Sequence, residues 1–139
     1  MKIKSFEDLE VWRKAHELTL LIYLLTKSFP PEERFGLISQ LRRASSSVTA
    51  NIAEGYGQRT TKELLRSLRI ANGEAEETRY FSLLSKVLSY MNQQEFDTVN
   101  QLCQSVSQLL SALGQSLQAS AARVSSHKSR VTRSAGRPA

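Results

Sequence analysis

Four stretches of this chain repeat apolar residues at alternating steps of three and four, and that spacing limits what the chain can fold into more than any other property it has. Val11, Ala15, Leu18, Ile22 and Leu25 form the first stretch, and Ile38, Leu41, Ser45, Val48 and Ile52 the second. Leu64, Leu68, Ala71 and Ala75, followed by Leu83, Leu84, Val87 and Leu88, form the third. Phe96, Val99, Cys103, Val106, Leu110, Leu113 and Leu117 form the fourth. Steps of three and four return to one face of an α-helix, so each stretch predicts an amphipathic helix. No segment alternates with the period of two that a strand requires, and the connections are short. The pattern specifies an all-α, antiparallel, up-down-up-down four-helix bundle.

The boundaries have their own signals. Ser5 with Asp8 has the form of a capping box ahead of the first helix, and Phe29-Pro30-Pro31 ends it because two prolines cannot continue the hydrogen-bond ladder. Gly55 is placed for the left-handed residue that closes the second helix. Thr60 or Thr61 is the N-cap of a third helix running to about Tyr90, with Gly73 weakening it locally and Met91-Asn92-Gln93 making its last turn.

A chain of 139 residues with 40% hydrophobic content holds one core, so a single bundle over residues 1–118 is expected. The charge divides unevenly. Of the net +6, the last 21 residues carry Arg123, Lys128, Arg130, Arg133 and Arg137 with no acid, leaving +1 for everything before them. That 119–139 tail, rich in Ser, Ala and Arg, buries little apolar surface and is expected to be a disordered basic arm, suited either to nucleic acid or to plain solvation.

Several function classes find no support. The N-terminus lacks the apolar core of a signal peptide, and no apolar run approaches the roughly 18 residues needed to span a bilayer, so a cytoplasmic protein with no membrane role is expected. Cys103 is the single cysteine and cannot form a disulfide within the chain. A di-metal bundle needs Glu-x-x-His on two helices plus further carboxylates; the two histidines, His16 and His127, do not follow a Glu at that spacing, and His16 reads as an ordinary surface residue. Ser45, Ser46 and Ser47 have no base nearby in sequence, and Gly55-Tyr56-Gly57 reads as a turn rather than a phosphate loop. Neither cofactor nor metal is expected, and enzyme is the weakest hypothesis.

Helix two carries small residues on more than one side: Ala44, Ser45, Ser46, Ser47, Ala50 and Ala53. Either this is a Ser-rich solvent face or the helix packs on a second side, most simply against another subunit along the line Arg43, Ser47, Ala50 and Glu54. Glu54 faces the negative end of the helix dipole and calls for a partner, with Arg59, Arg43 or the first N–H groups of helix three as candidates. Asn51 needs a hydrogen bond if buried. Asn51, Glu54 and Gly55 together read as a structural corner.

The remaining lead is charge. Arg59, Lys62, Arg66 and Arg69 recur at steps of three and four and fall within an arc of about 80° on a helix. With Arg42 and Arg43 from the preceding helix they form a candidate phosphate-binding surface, set against the reading that Glu63, Glu74, Glu76 and Glu77 neutralise some of them.

FEDLEVWRKAHEL, FPPEERFGLISQLRRAS and above all SVTANIAEGYGQRTTKELLRSLRIANGEAEE resemble the four-helix-bundle proteins named after 23S ribosomal RNA intervening sequences, over roughly Phe6 to Leu117. The long basic tail departs from that pattern. The resemblance implies a small cytoplasmic bundle related in fold to the accessory variability determinant of diversity-generating retroelements. Proteins of that wider group are pentamers whose basic surface engages nucleic acid and a reverse transcriptase. The reading that follows is a non-catalytic, ring-like homo-oligomer, a pentamer by resemblance, that binds RNA or an RNA-protein complex through Arg42, Arg43, Arg59, Lys62, Arg66 and Arg69. The alternative is a protein-binding adaptor or scaffold, for example an accessory subunit of a retroelement reverse transcriptase.

Overall fold

A computed structural model describes residues 3–135. Within them the chain forms four α-helices and no strand: α1 (Glu10–Thr26), α2 (Leu37–Tyr56), α3 (Thr61–Val87) and α4 (Gln93–Ala135). Each helix packs on its neighbour in sequence, and α4 closes the bundle on α1. This is the up-down-up-down order that the periodic apolar positions require.

Two clusters fill the interior. At the end holding the start of α1 and the α2–α3 corner, Val11, Ala15, Val48, Ile52, Ala71 and Val106 pack with Leu68 and Leu110, and Trp12 covers them in part. At the other end Leu18, Ile22, Leu41, Met91 and Val99 are joined by Phe29 and by the half-buried rings of Phe81, Tyr90 and Phe96. Cys103 lies in this second cluster, where burial pushes its thiol up to about 12.

The caps explain where the helices begin. Ser5 and Asp8 form the predicted capping box, but it caps a single 3-10 turn, Phe6–Asp8, and α1 starts two residues later. Amides of Lys4 and Ser5 donate to the Asp8 carboxylate and hold it below the usual carboxylate range. Thr60 is the N-cap of α3, its hydroxyl accepting from the Glu63 amide. At the other end α3 stops at Val87, short of the expected Tyr90, because Ser89 takes a left-handed φ of 64°. The Tyr90 amide then donates to Ser85 O at 2.8 Å and the Ser89 amide to Lys86 O at 3.0 Å, the Schellman pairing without its usual glycine. Asn92 and Glu95 cap α4 reciprocally, each side chain accepting from the other's amide at 2.8 Å.

Two expectations are corrected here. Gly55 does not close α2 in a left-handed conformation; it is buried within the last turn of a helix that continues to Tyr56. Its role is close approach: a Cβ on Gly55 would sit 2.7 Å from Cβ of Ser67 and 3.1 Å from Leu64 Cδ1, so α2 and α3 touch where glycine has no side chain. The second correction concerns the tail. Residues 119–135 continue α4 without interruption, giving it 43 residues, or about 64 Å at 1.5 Å per residue. From Ala119 to Val131 the side chains are exposed, so burial does not hold this segment in a helix. Ala119, Ala121 and Ala122 favour one, and neither Gly nor Pro interrupts the run from Gln115 to Ala135. The last four residues, Arg137 among them, lie outside the described part.

Candidate nucleic-acid interface

The six cations selected from sequence separate into two sets. Adjacent residues on a helix point about 100° apart, so Arg42 and Arg43 leave opposite flanks of α2. Arg42 turns toward α1: its Nε donates to Thr26 Oγ1 at 2.9 Å, an Nη donates to Tyr23 O at 3.4 Å, and the guanidinium lies 4.6 Å from the Tyr23 ring centroid. Arg43 turns toward α3 and is held by two carboxylates, Glu74 at 3.3 Å and Glu77. Both side chains serve helix packing, and two of the four acids that sequence placed as possible neutralisers, Glu74 and Glu77, neutralise Arg43.

The other set is free. Lys62, Arg66 and Arg69 lie on the outer face of α3, opposite the buried Leu68, Ala71 and Ala75, and all three are exposed. Arg59 is exposed as well, but it precedes the N-cap Thr60 and so belongs to the connection rather than to the helical row. Among the described residues none of these four cations has an ion-pair or hydrogen-bond partner. Glu76 is drawn to Arg79 at 3.9 Å, away from the row.

The far end of α4 adds to this surface. A groove of about 410 Å³ is lined by Thr61 at the start of α3 and by Ser120, Val124 and Lys128 of α4, so the helical tail runs beside the first turn of α3. Lys128 of the helical tail therefore lies at the end of the molecule where the N-terminus of α3 sits, instead of on a detached arm.

The corner residues are structural in part. Asn51 is half-buried and donates from Nδ2 to Ser47 O at 2.7 Å, a bond within its own helix. Glu54 is exposed and, among the described residues, has none of the partners expected for it: Arg43 is engaged by α3, and the Glu63 amide at the start of α3 is capped by Thr60. Ser45 and Ala44 are buried, Ser45 O accepting from Thr19 Oγ1 at 3.0 Å, while Ala50 is exposed. The small residues of α2 thus let α1 and α3 of the same chain approach closely. His16 is exposed, with its ring stacked 4.8 Å from that of Trp12.

One feature escaped the sequence reading. Between α3 and α4 lies a groove of about 500 Å³ with Leu65, Leu68 and Leu110 as its floor and Arg69, Asn72 and Gln115 at its rim. Gly73 and Gly114 line it from the two helices. The Asn72 Oδ1 is buried and has no hydrogen-bond partner. The one available sequence signal was a pair of glycines inside two predicted helices.

With this geometry in place, comparison with known proteins decides the family. The sequence profile of the 23S rRNA-intervening sequence proteins matches residues 7–112, most of the chain. The chain belongs to that family. A crystal structure of a protein of unknown function from the S23 ribosomal protein family of Bacteroides thetaiotaomicron is similar to it in fold, with a TM-score of 0.68 and 24% identity over 75% of this chain and 97% of the other. No curated protein matches the chain. Among the described residues no helix is long and apolar enough to cross a membrane.

Proposed function

We propose that this protein is a non-catalytic RNA-binding accessory protein that grips backbone phosphates through the outer face of α3. The observation that carries the reading is the unpaired row Lys62, Arg66 and Arg69 with Arg59 beside it, on a bundle where Arg42 and Arg43 are bound internally. Three cations spread over two turns span about 11 Å, a distance that covers two neighbouring phosphates along a strand. The family's description, which ties it to 23S rRNA, points to structured RNA as the partner.

The same reading includes a homo-oligomer, in line with the pentamer implied by resemblance. Its support is apolar surface left open by the single chain: Leu20 and Leu24 on α1 are 57% and 61% exposed, and Val87 at the far end of α3 is 67% exposed. Assembly through such surfaces would repeat the α3 row around one particle and strengthen its field.

The test is fluorescence anisotropy with a labelled RNA hairpin between 50 and 300 mM salt. Binding that weakens steeply as salt rises is expected, with the logarithm of affinity falling by about 0.9 per phosphate contact for each unit of log salt. Undetectable or salt-independent binding contradicts the reading. Tyr80 and Leu83, exposed on the same face of α3 beyond the cations, favour the adaptor as a second reading, in which a protein such as a reverse transcriptase covers the helix. Co-purification distinguishes the two: a protein partner that stays bound after nuclease treatment supports the adaptor.

A further inference from the structure

We infer that the groove between α3 and α4 receives a single unpaired nucleobase, delivered by the RNA strand whose phosphates the α3 cations hold. This rests on the RNA-binding reading and adds to it the kind of RNA that is preferred.

The groove has the parts such a site needs. Its floor, Leu65, Leu68 and Leu110, offers an apolar surface to the face of a flat ring, and its volume of about 500 Å³ exceeds what one nucleoside occupies. Asn72 lines it with a side chain that makes no hydrogen bond among the described residues; its Oδ1 is buried, so a base in the groove meets that oxygen only when the side chain turns outward. A buried acceptor left unmatched weakens a fold, so its retention calls for a reason. Water can satisfy one oxygen, and the orphaned acceptor alone would select no ligand. An amide beside an apolar floor is more selective: it matches the paired donor and acceptor on the edge of a base, adenine N6 and N7 above all. Gln115, on the facing helix, supplies a second amide.

The glycines point the same way. A glycine inside a helix is less favourable than alanine and usually marks close packing. Packing does not demand it here: a Cβ on Gly73 would meet nothing within 4 Å, and one on Gly114 would make an ordinary 3.8 Å contact with Leu65. Gly55, where a Cβ would collide with Ser67, shows what a packing glycine in this molecule looks like. What Gly73 and Gly114 share is the groove, which side chains at either place would narrow. Arg69 joins the groove to the phosphate surface, because it belongs both to the exposed row and to the rim. A strand held by Arg66 and Arg69 thereby brings its next base to the opening, where the Arg69 guanidinium can stack on it.

The experiment compares a fully paired RNA hairpin with the same hairpin carrying one unpaired adenosine, and adds adenosine monophosphate as a free ligand. The expected result is about tenfold tighter binding of the hairpin with the unpaired base. Asn72→Leu is expected to abolish that preference while leaving affinity for the paired hairpin and the thermal midpoint undiminished, since it removes a buried unmatched oxygen. Gly114→Leu, which fills the groove, is expected to do the same, with circular dichroism confirming the helices. If the hairpins bind equally but adenosine monophosphate shifts the Asn72 side-chain amide resonances, the base comes from a free nucleotide. Equal binding with unmoved resonances, or a preference that survives Asn72→Leu, overturns the inference and leaves phosphate binding intact. Failure of both hairpins to bind overturns both.

Discussion

Arg42 and Arg43 on α2 and Arg66 and Arg69 on α3 are alike as sequence and opposite in circumstance. The first two sit between helices: Arg42 ties α2 to Thr26 and Tyr23 of α1, and Arg43 ties it to Glu74 and Glu77 of α3. The second two are exposed on the outer side of α3, and neither is in an ion pair among the described residues, although Glu63 lies one turn before Arg66. The difference teaches that a cation is available to a ligand only after the acids and carbonyls of its own fold have been served. A position at the flank of a helix is served first; a position opposite the core is served last.

That contrast can be broken by substitution. Removing Arg66 and Arg69 together is expected to have the largest effect, lowering RNA affinity by at least about tenfold and flattening the salt dependence by about two contacts, while the midpoint of thermal unfolding stays put. Arg42→Ala should do the reverse. It strips a charged donor from the buried Thr26 hydroxyl and a cation from the Tyr23 face, so a loss of about 2 kcal/mol in urea-measured stability is expected, with RNA binding by the folded protein unchanged. Gly55→Ala sharpens the comparison by disturbing the corner from which α3 springs. The new methyl collides with Ser67, and the gain in helix propensity offsets only part of the damage, leaving about 1 kcal/mol of destabilisation in the same assay. Arg43→Ala comes last, at about 0.5 kcal/mol, because its ion pairs are half-exposed.

The bundle was legible because its determinants are local. Steps of three and four at Val11 to Leu25 or Val99 to Leu117 need no partner to be read, and Thr60 announces the start of α3 by its own hydroxyl. What failed to be legible depends on register between helices. Glycine has two uses, freedom of φ and lack of a Cβ, and only the position of Ser67 shows that Gly55 serves the second. Ser89 carries a left-handed φ with no glycine to betray it. Arg42 and Arg43 looked like the edge of a basic patch because adjacent letters suggest adjacent side chains, whereas a helix sends them to different flanks. The tail was judged by what it could bury, yet α4 runs on to Ala135 through a stretch free of Gly and Pro from Gln115 onward. The α3–α4 groove requires Asn72 and Gln115 to be level across two helices, which sequence does not state.

The most direct measurement of the central claim compares Arg43→Gln with Arg66→Gln. Each removes one positive charge from an exposed side chain, so a protein that bound RNA through net charge alone would respond equally to both. The slope of log affinity against log salt is expected to fall by about 0.9 for Arg66→Gln and to stay at the unaltered protein's value for Arg43→Gln. Equal slopes for the two variants would contradict the claim that α3, and not α2, holds the phosphates.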